Sequence, residues 1–421
     1  MIKHSYLGSN INLVKEHNRQ AILLSLLREN HISRVQLARM TSLSTTTITN
    51  LVTELIEQGV VIDEGSQAPE GSRGVGRPRS ALRLVPEAHY AIGVHIGIGL
   101  FRVAVADLSA RMICNKIHHF DLQTHAEDVL DQIVEAIEDI ITCAQINRRK
   151  VIGVGVGASG LVNYQTGVNI LAPNLGWHTV PIRAHLQARL NLPVEVDNNV
   201  RAMALGEAFF GLGRGSDSLA FVYGRIGVGA GFVFGGEVFR GSNTGAGEIG
   251  HTIIMPEGGE PCRCGKYGCL ETLVSEPVLV RQAQALAEKD PGGMLAAYLH
   301  RAEPTTLSEK IFEAARHGDL AARGLIDRLS RYLGIALANL VNTLNPQLIL
   351  LGGVFAQGQD LILPPATQTM REVAFAGMGE QVQVKTSSFG WSAGVIGAAA
   401  LALTRFFYQQ SSQPTEFNHP S

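Results

Sequence analysis

Cys262-Arg-Cys264-Gly-Lys-Tyr-Gly-Cys269 puts three thiols within eight residues, and Gly247-Glu-Ile-Gly-His251 places an imidazole just ahead of them. Three sulfurs and one ring nitrogen form the donor set of a closed, tetrahedral Zn²⁺ site. With His251, Cys262, Cys264 and Cys269 all engaged, no position stays open for a reactive water, so the expected zinc is structural. Gly265 and Gly268 permit the tight turns that aim several sulfurs at one point. The bland alternative, three buried thiols beside a satisfied histidine, fits the crowding poorly. Cys114 and Cys143 bring the cysteine total to five. That odd count does not suggest a disulfide scaffold, and Lys3, Lys15, Glu16 and Arg19 interrupt any leader-like apolar run. A cytoplasmic protein with metal-bound or free thiols is expected.

A second constellation invites a nucleotide reading and fails it. Gly155-Val-Gly157-Ala-Ser-Gly160 fits G-x-G-x-x-G after the strand-like Val151-Ile152. A dinucleotide fold needs a helix to open there and an acid about 20 residues on. The next stretch of chain, with Asn163, Gly167, Asn169, Pro173 and Gly176, reads as loop. No G-x-x-x-x-G-K-[ST] run occurs. Two Gly-punctuated hairpins do recur, at 92–107 and 219–236, each followed by helix-competent chain: 125–147 for the first, 275–289 and 308–342 for the second. This pattern predicts a duplicated α/β lobe with a cleft between the copies, where hairpin amides can approach phosphate.

Ahead of these lobes lies a different architecture. Ile11, Val14, Ile22, Leu23, Leu26 and Leu27 form a helical stripe. Ser33-Arg-Val-Gln36 is a capping box, and Ser44 caps a further helix that buries Ile48, Leu51, Val52, Leu55 and Ile56 and stops at Gly59. Two short helices on a tight turn predict a helix-turn-helix. Ser44, Thr45, Thr46, Thr49 and Asn50 form its exposed, major-groove-compatible face. Val60-Val-Ile62 and Leu82-Arg-Leu84 read as a hairpin around a loop bearing Arg73, Arg77 and Arg79, a wing able to reach a minor groove or phosphate. The alternative is a solvated linker with ordinary charges.

Composition agrees with this division. Of 421 residues, 45 % are apolar and 17 % charged, with 46 glycines, which excludes a highly solvated chain. The net charge of −2 excludes a protein that is basic throughout. Residues 1–85, however, carry ten Lys/Arg against seven Asp/Glu, leaving −5 on the remainder, a weak pointer to nucleic acid. The most apolar segment, Trp391 to Leu403, is short and Gly/Ala-rich; it predicts a buried helix, and no membrane span is expected.

The whole pattern resembles the ROK family of sugar kinases and sugar-responsive repressors. The Gly-Glu-Ile-Gly-His and Cys-x-Cys-Gly-x-x-Gly-Cys segments carry the likeness most specifically. Ala172-Pro-Asn-Leu-Gly-Trp177, Leu333-Gly-Ile-Ala-Leu-Ala-Asn-Leu-Val341, Gly352-Gly353 and Gly76-Arg-Pro78, the last typical of the repressor branch, extend it over nearly the whole chain. The resemblance implies an α/β fold: a winged helix-turn-helix at 1–85 followed by a two-lobed, actin/hexokinase-like domain at 86–408. Lobe 1 is expected over about 86–200 plus a C-terminal helix at 391–408, lobe 2 with the zinc over about 201–390, and a disordered tail at 409–421. It implies zinc on His251, Cys262, Cys264 and Cys269. Sugar contacts fall on Asn174, Asn198, Asn199, Glu248, His251 and Glu271, whose amides and carboxylates suit hydroxyls that both donate and accept.

The departures from the kinase pattern matter as much. The family's Glu-Asn-Asp-Ala-Asn run, whose Asp is the general base, appears here as Asp197-Asn-Asn-Val-Arg201. Asn199 cannot accept the proton, which removes a factor of roughly 10²–10⁴. The kinase Asp-x-Gly-Gly-Thr loop appears as His95-Ile-Gly-Ile-Gly-Leu100. The expectation is a non-enzymatic regulator, a repressor of carbohydrate genes that binds operator DNA as a homodimer or tetramer and answers to a sugar or sugar phosphate. A kinase with an appended DNA-binding domain, and a zinc-stabilised interaction module without sugar binding, are the competing readings.

Overall fold

A computed structural model of the protein describes residues 11–29, 31–65 and 81–409. The chain opens with α1 (Ile11–Arg28), α2 (Arg34–Thr41) and α3 (Thr45–Glu57), followed by the hairpin β1 (Val61–Asp63) and β2 (Leu82–Leu84). Ser33 Oγ accepts the Gln36 amide N–H while the Gln36 side chain reaches back to Ser33, so the capping box is present. Ser42, at φ +56°, turns the chain into α3, and Ser44 caps α3 through the Thr47 N–H. Ile22, Leu23 and Leu26 of the expected α1 stripe are buried, but Val14 is exposed: the stripe covers only the C-terminal half of the helix. Val61 pairs with Leu84, closing the small sheet of a winged helix. Arg73, Arg77 and Arg79, as well as nearly all of the expected tail at 409–421, lie outside the described residues.

The body contains β3 (Tyr90–Ile96), β4 (Leu100–Asp107), β5 (Met112–His119), α4 (Ala126–Cys143) and β6 (Val151–Ala158). Next come β7 (Leu161–Asn163), β8 (Val168–Ala172), β9 (Trp177–Val180), α5 (Ile182–Leu190), β10 (Val194–Asn198) and α6 (Asn199–Phe210). The second half runs β11 (Ser218–Gly224), β12 (Val228–Phe234), β13 (Glu237–Phe239), α7 (Glu271–Val274), α8 (Glu276–Lys289), α9 (Met294–Leu299), α10 (Leu307–Arg316) and α11 (Leu320–Leu344). It ends with β14 (Leu348–Gly353), α12 (Val354–Gln357), α13 (Gln359–Val373), β15 (Gln383–Thr386) and α14 (Ala393–Leu403).

Two five-stranded sheets share one topology. Their orders, β5-β4-β3-β6-β10 and β13-β12-β11-β14-β15, each consist of an antiparallel meander followed by two parallel strands. The duplication expected from the two glycine hairpins is therefore visible strand for strand. Two details differ from expectation. The stretch 161–180 is a small antiparallel sheet, β7-β8-β9, rather than loop, because short apolar pairs alternate between its Gly and Asn turns. The helical stretch 308–342 is two helices, broken where Asp319 caps α11 after Gly318 at φ +100°.

Helices α14 and α6 lie between the sheets. Every residue of α14 is buried. It approaches β3 and β6 through glycine: a Cβ on Gly155 would sit 1.8 Å from the Ala398 carbonyl oxygen, and one on Gly93 2.3 Å from that of Val395. The G-x-G-x-x-G look-alike is thus mostly strand, in which Gly155 admits α14, Gly157 faces α6 at Ala202, and Gly160, just past β6, closes on β8, where a Cβ would lie 2.4 Å from the Leu171 oxygen. Gly206 of α6 meets Gly397 of α14, and Gly231 of β12 meets the α6 backbone. The head is docked on this assembly: Leu51, Val52, Leu82 and Leu84 share a core with Leu108, Ala402, Phe407 and Tyr408.

Candidate functional site

The Cys-rich segment folds as a knuckle. Cys262 N–H donates to the Lys266 carbonyl, Gly265 N–H donates to the Cys262 carbonyl, and Ile253 bridges Cys269. Gly268 (φ +70°) is obligatory, since a Cβ there would lie 1.8 Å from the Met255 oxygen. This geometry gathers one ligand atom each from His251, Cys262, Cys264 and Cys269 within 4.8 Å of one another. Cys262 Sγ lies 3.6 Å from His251 Nδ1, and Cys264 Sγ 3.7 Å from Cys269 Sγ. A tetrahedron with the usual zinc–sulfur and zinc–nitrogen bond lengths has edges of about 3.5–3.8 Å. The donor set and its spacing therefore suit a closed divalent-metal site.

The histidine of this knuckle also faces a cavity of about 670 Å³ between the two lobes, a size suited to a small molecule. Asn174, Asn198, Asn199, Glu248, His251 and Glu271, all predicted as site residues, line this one cavity. Their bonding differs. Asn198 caps α6: its Oδ1 accepts Val200 and Arg201 N–H groups, and its Nδ2 donates to the Gly160 carbonyl. Asn199 Nδ2 donates to Ser159 Oγ at 3.3 Å. Glu271 Oε2 accepts the Val228 N–H at 3.0 Å, fastening α7 to the β11–β12 turn. Asn174 Oδ1 accepts a hydrogen bond from Arg263. Glu248 is the least committed; desolvation raises its pKa, the His251 and Arg201 charges oppose the rise, and Glu271 adds to it.

Sequence reasoning missed a buried ion network behind these groups. Asp197, fully buried, accepts from Arg201 Nε at 2.6 Å and from Arg240 Nε at 2.8 Å. Arg201 also donates to the carbonyls of Val162 and Thr244, so it ties β7 and β10 to the loop after β13. Asp197 and Arg240 are 43 positions apart with no motif joining them. Arg225, Arg263 and His95 line the cavity as well, without having been predicted as contacts.

On the head, Ser44, Thr45, Thr46, Thr49 and Asn50 are all exposed. Two have prior engagements: the Ser44 oxygen caps α3, and the Thr49 hydroxyl donates to the Thr45 carbonyl. Thr45, Thr46 and Asn50 are left as the more open groups of that face.

The ROK family model matches residues 91–405, and a winged helix-turn-helix DNA-binding model matches residues 15–62. The xylose repressor of Caldicellulosiruptor bescii is 29 % identical over 396 residues, covering 94 % of this chain and 97 % of that protein. A glucokinase of Halalkalibacterium halodurans is 31 % identical over 329 residues, covering 77 % of this chain and 98 % of the kinase. Among solved structures, a ROK family transcriptional regulator homologous to Escherichia coli Mlc superposes with a TM-score of 0.79 at 28 % identity, covering 94 % of this chain and 97 % of that one.

Proposed function

We propose, because the chain belongs to the ROK family and carries a winged helix ahead of the family domain, that it is a sugar-responsive, DNA-binding transcriptional repressor of carbohydrate genes. One observation carries this: the likeness to the repressor continues through the head, whereas the kinase relative covers only 77 % of the chain. In this reading, a sugar in the interlobe cavity meets Asn174, Asn198, Asn199, Glu248 and Glu271. His251, Cys262, Cys264 and Cys269 hold a structural zinc, whose charge lets the sulfurs bind as thiolates and stiffens the wall bearing His251. The protein works in the cytoplasm as a two-fold dimer on half-sites about one helical turn, or a multiple, apart. The sugar shifts the population of two lobe arrangements and releases the operator.

Fluorescence anisotropy with DNA upstream of neighbouring sugar genes tests this. Salt-sensitive, sequence-preferring binding is expected, weakened by the effector. Asn50→Ala is expected to cost about 1–3 kcal/mol of operator affinity without lowering thermal stability, because the side chain is exposed. Binding indifferent to sequence would sink the reading.

Catalysis is not part of it. The amide of Asn199 stands beside Ser159 at the cavity wall, where the kinase pattern would put a carboxylate. A coupled ADP-release assay over hexoses and pentoses is expected to stay at background. Enzymatic turnover abolished by Asn199→Ala would reverse this conclusion.

A further inference from the structure

Two thiols outside the metal knuckle stand face to face. Cys114 Sγ on β5 lies 3.6 Å from the Sγ of Cys143, the last residue of α4. Both are unbridged; Cys143 is exposed and Cys114 half-buried. Along β5, Ile113, Asn115, Ile117 and His119 are exposed, whereas Met112, Cys114, Lys116 and His118 turn inward. Cys114 therefore stands on the face that packs against the lobe-1 core, to which α4 contributes Ile133, Ile137 and Ile140. The chain can yield at both sulfurs. β5 is an edge strand paired with β4 alone, and its register slips between Val105 and Ala106, beside Cys114. α4 ends at Cys143, and the chain then turns through Gln145 at φ +53°. A disulfide bond of about 2.05 Å requires the sulfurs to close by roughly 1.5 Å. Among the described residues, only the knuckle gathers three or more metal-ligand side chains around one point. Two sulfurs alone do not make a closed metal site, but they suit thiol–disulfide exchange.

We infer that Cys114 and Cys143 form a reversible dithiol–disulfide switch acting on the docked head, with a small-molecule disulfide of the glutathione class as co-reactant. Exposed Cys143 is the point of entry. Its thiolate attacks one sulfur of the small disulfide, whose S–S bond breaks and releases one thiolate. Cys114, as thiolate, then attacks Cys143 Sγ in the mixed disulfide and expels the second. The protein gives up two protons and two electrons, and the small disulfide takes them up as two thiols. Burial, then the neighbouring Cys143, raises the Cys114 pKa, and the Lys116 charge opposes the rise. The pair lies beside the head joint. Leu108, Ala110 and Met112, just upstream of Cys114, pack in the core shared with the head, as does Ile152 downstream of Cys143. Between Cys143 and Ile152, Lys150 Nζ donates to the Glu87 carbonyl at 3.1 Å. Drawing Cys114 toward α4 shifts Met112 within that shared core, so the oxidised protein holds its head less firmly. The disulfide itself does not depend on the repressor reading; only its effect on operator binding rests on it.

Peptide mapping of the full-length protein, treated with oxidised glutathione and then alkylated, tests the site. The expected product joins the Cys114 and Cys143 peptides within one chain, two hydrogens lighter than the dithiol, and reduced glutathione reverses it. Cys143→Ser is expected to abolish the product and leave the melting temperature of the reduced protein near the wild-type value, because the side chain is exposed. Operator affinity of the oxidised protein is expected to fall about fivefold or more, the lower end of ordinary coupling between sites, and to be unchanged by the same treatment in Cys143→Ser. Hydrogen exchange in the peptides carrying Leu82 and Met112 reads the coupling without DNA and is expected to quicken on oxidation. Only glutathione adducts, only links between chains, or a Cys264–Cys269 bridge in place of this one would overturn the inference. A Cys114–Cys143 bridge that alters neither operator affinity nor exchange overturns the switch and leaves the repressor reading standing. Quickened exchange in a protein that binds no operator in either form supports the switch while the repressor reading falls.

Discussion

Cys269→Ser is expected to empty the metal cluster and lower the stability of the protein by about 3 kcal/mol, a fall of roughly 6–12 °C in melting temperature. Cys269 is fully buried, its sulfur lies 3.7 Å from Cys264 Sγ, and its segment bridges Ile253. Replacing it removes a sulfur donor and leaves a hydroxyl among groups placed for a metal. Cys264→Ser, at an exposed position, is expected to lose the metal with less direct packing damage. Elemental analysis should find about one zinc per chain in the purified protein and almost none in either variant. Sugar affinity should fall with the zinc, because His251 faces both the cluster and the cavity. A wild-type protein without zinc, or a Cys269→Ser protein with its full complement, would refute the assignment.

The second large effect belongs to Gly155→Ala. Its new methyl carbon would lie 1.8 Å from the Ala398 carbonyl oxygen and 2.9 Å from the carbonyl carbon, both backbone atoms of a helix buried along its length. A flexible side chain could swing away; α14 can only be displaced as a body, which would loosen its contacts with β3, β6 and α6 together. A loss of about 3 kcal/mol or more is expected. Gly324→Ala makes the matched control. It lies within α11 with nothing within 4 Å of the added carbon, so a gain of about 0.5–1 kcal/mol is expected from helix propensity. Chemical denaturation of the two variants should move in opposite directions, and a stable Gly155→Ala protein would show that the helix–strand contact is not tight.

Legibility in the sequence followed the range of the interactions involved. The capping box at Ser33, the hairpins on both sides of the cleft and the cysteine knuckle depend on neighbours a few positions apart, so residue type and spacing announce them. The β7-β8-β9 sheet escaped because its strands are three to five residues long and the chain between them carries the turn formers Gly167, Pro173 and Gly176. Asp197 with Arg240, and Arg102 with Trp391, escaped because chain topology alone brings them together. The glycines of 155–160 show the converse hazard: their spacing mimics a phosphate cradle, while the purpose of Gly155, leaving room for α14, is written far downstream, around Ala398, and that of Gly160 lies in its close approach to Leu171 of β8. Asn198 reads as a ligand-facing amide, yet its oxygen and nitrogen are also occupied in starting α6, a double duty that no local pattern discloses.

The winged helix does not hang from a tether. Tyr408 donates from its hydroxyl to the Leu108 carbonyl inside a core shared with Leu51 and Leu84. Arg214 donates to the carbonyls of Leu27 and Arg28, at the end of α1. Helix α14, which enters that core at its far end, starts two residues after Trp391, whose ring carries the Arg225 guanidinium, and presses on α6, whose first turn forms part of the cavity wall. Thermodynamic reciprocity then applies: whatever factor the small molecule takes from operator affinity, a saturating operator must take from affinity for the small molecule. Repressor parked on DNA would be the less sensitive detector, and free copies in the cell would answer first as the metabolite accumulates.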